Sequence, residues 1–311
     1  MPWNDRIRNR LRLRDLDILM AVIDAGSMGK AAARFNMTQP AVSKVIADLE
    51  HTLGVRLVER SRRGVEPTPH GLALGKRGVA VFDELQQGVQ DLDLLSDPTA
   101  GEIRIGCTEP IAAAIVSPVV DRLTRQYPHM AFHVLADGVP AVLEQELAQR
   151  KLELIITRLS DPIAADQSAE ILFHDTLVVA TGAKHPLTRR RKVTLSEIAN
   201  EPWLLPLNPL FGSVIVAAFY AGGLEPPRLT VSTTSINLRN NLLASGRFMT
   251  VTPSFLLKLP RRHPFLRALS VDLPNAQHPI AIIRLKNRVP SALSQLFCDR
   301  VRALTRPLAT D

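Results

Sequence analysis

The side chains best suited to chemistry with an outside partner cluster early in the chain. Gln39, Ser43 and Lys44, with Asp48, share one face of a helical stretch whose other face is apolar, built from Val42, Val45, Ile46 and Leu49. An amide and a hydroxyl four residues apart can hydrogen-bond base edges, and Lys44 beside them can reach a guanine edge or a phosphate. A little further on, Ser61-Arg62-Arg63-Gly64 makes a basic turn, and Arg62 and Arg63 at its tip could reach phosphates or a minor groove. A second set lies in the later part of the chain, just past short apolar runs: Cys107-Thr108-Glu109-Pro110, Thr157-Arg158, Asn208, Thr233-Thr234-Ser235 and Thr252-Pro253. Free backbone N–H groups at a helix start suit an anion, although Glu109 opposes one. Arg158 could hold a carboxylate through two parallel bonds. Taken singly, each of these is more often a cap or turn residue than a ligand contact.

The early residues need a frame. Leu16, Leu19, Met20 and Ile23 form an apolar stripe that stops at Ala25-Gly26, and glycine is the usual residue past a helix end. Ser27 then caps a second helix, Met28 to Phe35, with Lys30 in its first turn and Ala31-Ala32-Ala33 permitting close approach. Asn36-Met37 turns the chain, Thr38 caps a third helix, and Pro40 sits in its first turn, where a missing N–H costs nothing. Two short helices crossing at alanines are what a DNA-reading pair needs. A strand, the Arg-Arg-Gly turn and a second strand ending at Pro67-Thr68 make a wing. A three-helix core with a solvated face would give the same helix pattern, and the basic wing argues against that reading.

Composition sets the bounds. The chain has 311 residues, a formal charge of +8 and 46% hydrophobic residues, as expected for a soluble protein of two or three domains. Residues 1–70 carry 12 Lys/Arg against 8 Asp/Glu, residues 71–100 are net −3, and residues 101–311 are net +7. The balance fits nucleic acid and equally fits an anionic small ligand. No run of about 18 apolar residues and no apolar signal core is present, so a cytoplasmic protein without membrane contact is expected. Two cysteines exclude a disulfide framework. Cys107 and Cys298 are expected to be packed thiols rather than a redox pair. The eight histidines lack metal-ligand spacing, His185-Pro186 and His263-Pro264 read as turns, and Arg189-Arg190-Arg191-Lys192 reads as a solvated loop. No cofactor, metal or catalytic residue is expected, because GxSxG, HExxH, paired CxxC and phosphate-cradling glycine loops are all missing.

The run Thr38-Gln39-Pro40-Ala41-Val42-Ser43-Lys44, preceded by Ala31-Ala32 and followed by Leu49-Glu50 and Leu53-Gly54-Val55-Arg56-Leu57-Val58-Glu59-Arg60, resembles the LysR-type transcriptional regulators. Residues 12–71 match closely. Met28 and Val58 replace the usual Phe, and Thr38 the usual Ser, each without harm to packing or capping. The resemblance implies an α/β protein overall. An N-terminal winged helix-turn-helix would occupy 1–68 and a linker and dimerisation helix 69–98. A two-lobed effector-binding domain resembling periplasmic binding proteins would occupy 99–311, its second lobe roughly 179–274. It places Gln39, Pro40, Ser43 and Lys44 in the major groove of double-stranded DNA and Arg62 and Arg63 in the wing, and Ser27, Lys30 and Thr38 beside them are expected to contact DNA as well. A small-molecule effector, which the basic balance allows to be anionic, would sit between the lobes, where Cys107, Thr108, Glu109, Thr157, Arg158, Asn208, Thr233, Thr234, Ser235 and Thr252 converge. A homodimer through the linker helix, assembling to a homotetramer, and RNA polymerase are the implied protein partners.

The residues agree with that outline. Leu72, Val79, Phe82, Leu85, Val89 and Leu92 recur at helical steps interrupted by Gly71, Gly75, Gly78 and Gly88. Packing against a second copy, or against the chain's own N-terminal domain, would explain both stripe and glycines. From residue 101, short strands at Glu102–Gly106, Phe132–Leu135, Leu154–Thr157, Leu177–Thr181, Trp203–Leu205, Leu229–Ser232, Met249–Thr252 and Ile280–Arg284 alternate with helical stretches. That order predicts open parallel sheets, with ligands at the carboxyl ends of the strands. A two-lobed binding protein without DNA function and an α/β enzyme are the competing readings.

Overall fold

The computed structural model describes residues 10–61, 64–97, 100–159, 162–207, 209–259, 265–271, 273 and 277–309. The chain forms two compact units, Met1–Val89 and Gln90–Asp311.

The first unit follows its caps. Helix α1 (Leu13–Ala25) ends on Gly26, whose φ of 59° is the left-handed conformation that glycine adopts freely. Ser27 Oγ accepts the Lys30 N–H and opens α2 (Met28–Arg34), and Thr38 Oγ1 accepts the Ala41 N–H and opens α3 (Gln39–Leu53). Leu16, Leu19, Val22, Ala31, Ala32, Val42, Ile46 and Leu49 meet in one core. Strands β1 (Val58–Ser61) and β2 (Gly64–Pro67) pair antiparallel as the wing. Its tip residues Arg62 and Arg63 lie outside the described residues. Thr68 accepts the Gly71 N–H and donates to the Arg56 carbonyl, fixing the start of α4 (Pro69–Ser96). Early glycines of α4 serve this unit: a Cβ on Gly75 would press on Ile23, and one on Gly78 would collide with Met20 and Leu16. So the close approach that a second copy could have explained is made, at these two positions, to α1. Leu85, Val89, Leu92 and Leu95 remain exposed further along the helix.

The second unit is a nine-stranded mixed sheet whose main path is β4-β3-β5-β11-β6-β9-β7-β8. Strands β3 (Ala100–Cys107), β4 (His129–Ala136) and β5 (Leu154–Arg158) run parallel. So do β7 (Trp203–Pro206), β8 (Leu229–Thr233) and β9 (Met249–Pro253). The alternation of strand and helix predicts wholly parallel sheets; the observed ones are joined by antiparallel strands. The 16-residue β6 (Gln167–Gly182) pairs with β11 (Gln277–Leu285) up to Thr176 and with β9 from Leu177 on. One strand therefore belongs to both lobes. Its first half escapes the pattern because Glu170, His174 and Asp175 interrupt the apolar alternation. The short β10 (Leu266–Ala268) pairs with β6. Helices α5 (Ser117–Gln126), α6 (Pro140–Ala148), α7 (Leu195–Ile198), α8 (Pro209–Ala221), α9 (Ile236–Ala244), α10 (Phe255–Lys258) and α11 (Ala292–Thr305) complete the unit. A turn at Glu109–Ile111 and a π-helical segment Ala112–Val116 lead into α5. Arg189, Arg190, Arg191 and Lys192 lie at the surface, and Arg190 pairs with Glu197 at 2.6 Å. No helix among the described residues is long and apolar enough to cross a membrane.

Gly182 ends β6 where a Cβ would overlap the Leu243 carbonyl and crowd Gly246. Gly182→Ala should lower stability by about 3 kcal/mol, as overpacking does. Urea denaturation followed by circular dichroism checks this. An unchanged midpoint would mean the end of the crossing strand is not tightly held.

Candidate functional site

On the first unit, α3 presents a polar face. Gln39, Pro40 and Lys44 are exposed, Ser43 is half-buried, and Lys30 is exposed on α2. Thr38 is exposed and Ser27 half-buried, and both spend their hydroxyls on helix caps. The opposite face of α3 holds Val42, Ile46 and Leu49 in the core. In the sequence Glu50 stands out only as part of a motif. Its Oε1 accepts the Leu57 N–H at 2.7 Å and the Val58 N–H at 3.2 Å, fastening α3 to the start of β1. The wing is held from the other side by the Val65 N–H donating to the Gly26 carbonyl.

In the second unit a cleft of about 690 Å³ lies between the lobes. The first lobe lines it with Thr108, Glu109, Asp137, Thr157 and Arg158, and the second with Leu207, Phe211, Thr233, Thr234, Ser235 and Arg239. These follow the carboxyl ends of β3, β4, β5, β7 and β8, where parallel strands leave helix starts and loops free. Ser235 Oγ accepts the Leu238 N–H and caps α9, and Thr233 Oγ1 accepts the Ser235 N–H. Arg158 reaches across from β5, its guanidinium 5.7 Å from the centre of the Phe211 ring on α8. Burial disfavours the charge of Arg158, and Asp175 supports it. Arg239 is held likewise, with Glu109 as the supporting charge.

Two of the residues read from the sequence lie off this cleft. Cys107 is fully buried in the core beneath it, where burial, and then Glu109, push its thiol up to about 12. Cys298 is likewise buried and pushed up to about 11, and both are free thiols. A thiol held protonated is a poor nucleophile. Thr252 is buried and lines a smaller neighbouring cavity of about 200 Å³ that shares Glu109 and Arg239 with the cleft. Asn208 and His263-Pro264 lie outside the described residues. Arg239, Phe211 and Asp137 escape the sequence reading. Arg239 carries a signal that could have found it, since it stands four residues past Ser235, in the first turns of the same helix. No group of three or more His, Cys, Asp or Glu among the described residues could hold a metal ion.

Comparison with known proteins decides the family. Residues 13–72 match the bacterial regulatory helix-turn-helix proteins of the lysR family, and residues 96–306 match the LysR substrate binding domain. The chain belongs to the LysR family of transcriptional regulators. It is similar to the HTH-type transcriptional regulator GbpR of Azospirillum brasilense, at 32% identity over 98% of this chain and 90% of that protein. It is also similar to the HTH-type transcriptional regulator YdcI of Escherichia coli, at 28% identity over 97% and 98%. Among solved structures, a full-length single-residue variant of OxyR from Pseudomonas aeruginosa shares the fold with a TM-score of 0.61 at 21% identity, each chain covered to 95%. Full-length CbnR complexed with its target DNA does so with a TM-score of 0.52 at 20% identity, covering 95% of this chain and all of that one. This LysR regulator is thus a DNA-binding transcription regulator with an effector-binding domain, and its relatives are regulators, not enzymes.

Glu50→Ala should remove a charged acceptor from two N–H groups and cost the N-terminal unit about 2 kcal/mol. Differential scanning calorimetry should show that transition falling while the effector domain's stays in place. Equal movement of both transitions, or of neither, would contradict the local role of Glu50.

Proposed function

We propose that this LysR regulator reads its operator through α3 and the wing and is set by a small anionic effector in the inter-lobe cleft. Gln39, Ser43 and Lys44 take base edges, with Pro40 holding the first turn of α3 against the groove. Ser27, Lys30 and Thr38 approach the phosphates, as do Arg62 and Arg63 of the wing. The observation that carries the effector reading is the pair of guanidinium groups, Arg158 and Arg239, one on each lobe of the same cleft. An anion bound to both would draw the lobes together. Its affinity for the closed arrangement over the open one sets how far the equilibrium moves. Thr108, Thr157, Thr233, Thr234 and Ser235 add hydroxyls, and Phe211 and Leu207 supply an apolar wall.

The exposed stripe Leu85, Val89, Leu92 and Leu95 on α4 supports a homodimer through that helix, and a homotetramer follows if two dimers join. A two-fold dimer presents its reading helices about 34 Å apart, or a multiple of it. We assign the DNA-reading domain to 1–68, the linker to 69–98 and the effector domain to 99–311. Contact with RNA polymerase would follow from binding upstream of a promoter.

A gel-shift assay on the DNA upstream of the coding region tests the reading. Lys44→Ala should weaken operator binding by about 10- to 100-fold, roughly 1–3 kcal/mol, with ligand affinity unchanged. Arg158→Ala should keep operator binding and lose the effector response. Loss of both functions in either variant would refute this division of labour.

A further inference from the structure

Four buried polar atoms without a hydrogen-bond partner fall together on three neighbouring strands. They are Thr157 Oγ1 and Arg158 Nε on β5, His278 Nε2 on β11 and Asp175 Oδ2 on β6. The strand register groups three of them, since Thr157, next to Arg158 in β5, points to the opposite face of the sheet. Arg158 stands opposite Ile280, and His278 stands opposite Asp175. His278 and Ile280 are two residues apart, so Arg158, His278 and Asp175 share one face of the sheet. Thr157 is fully buried and Asp175 is 3% exposed, so water cannot readily serve them. Thr157 and Arg158 nevertheless line the cleft.

Asp175 occupies the place where β6 passes from one lobe to the other, one residue before its pairing with β11 ends. Its Oδ1 accepts the Ser254 Oγ–H at 2.7 Å and the Phe255 N–H at 2.9 Å. The carboxylate thereby ties the crossing strand to the turn after β9. Its other oxygen is unbonded. Burial raises the Asp175 carboxyl from its ordinary range, and the two hydrogen bonds and the Arg158 charge pull it back. Burial, and then the Arg158 charge, lower His278. A buried guanidinium needs a counter-charge, and Asp175 is the carboxylate whose charge acts on Arg158.

We propose that Arg158 exchanges counter-charges. Without an effector, Asp175 is its counter-charge. A carboxylate-bearing effector takes Arg158 and leaves Asp175 uncompensated at the crossing between the lobes. Asp175 is then a positioning residue, the point at which cleft occupancy reaches the hinge. The inference rests on the anion reading of the cleft.

Isothermal titration of the full-length protein with benzoate, succinate and citrate, and with glucose as a neutral control, tests it. A carboxylate that binds the wild type should bind Asp175→Asn about tenfold more tightly, because the competing charge is gone. Its effect on operator affinity should shrink, and Asp175→Glu should restore both. A merely structural role would not tighten binding. Ser254→Ala, which removes one of the two hydrogen bonds on Asp175 Oδ1 and lets Asp175 compete harder for Arg158, should weaken the same carboxylate about threefold. That variant also serves if Asp175→Asn fails to fold. Unchanged affinity in these variants, with Arg158→Ala abolishing binding, would overturn the exchange and leave the anion reading standing. Binding of none of the three carboxylates to the wild type would overturn both.

Discussion

The effector domain depends on one strand that pairs with both halves of its sheet. β6 completes the first lobe against β11 and begins the second against β9, changing partners between Thr176 and Leu177. The crossing therefore joins the two lobes directly through one continuous strand. The cleft is lined by residues from both halves that this strand joins. Everything placed around it, from the Arg158 guanidinium to the Ser235 cap of α9, is set by where that strand lets go.

The two ends of the chain use the same economy of caps and fixed termini for different ends. In the N-terminal unit Ser27, Thr38 and Thr68 close helix starts with their own hydroxyls, and Glu50 closes the gap between α3 and the wing. The polar face of α3 stays exposed at Gln39, Pro40 and Lys44. In the effector domain the strand ends do the reverse. The end of β5 leaves Thr157 Oγ1 and Arg158 Nε buried without a hydrogen-bond partner, a state that costs free energy.

Much of this was legible in the residues. The helix caps, the alanine crossing at Ala31-Ala32 and the Pro40 start are local signals, and the helices begin within a residue of them. The rule that ligands gather at the carboxyl ends of strands led to Thr157-Arg158 and Thr233-Thr234-Ser235, which do line one cleft. What stayed hidden depends on contacts distant in sequence. Asp175 acquires meaning only from standing opposite His278, far along the chain, and beside Arg158. Gly75 and Gly78 suited a second copy of the helix as well as they suited α1, because a glycine shows that something comes close and not what. Cys107 followed the strand-end rule and fell beneath the cleft, since the last residue of β3 points into the core.

The central claim is that one chain couples cleft occupancy to operator affinity, and coupling between two sites must be reciprocal. The direct measurement is a closed cycle on the full-length protein. Operator affinity is taken by fluorescence anisotropy with and without a saturating cleft ligand, and ligand affinity by calorimetry with and without operator. The account predicts the same factor, about 5- to 150-fold, on both sides of the cycle. A ligand that occupies the cleft and changes neither affinity would contradict it.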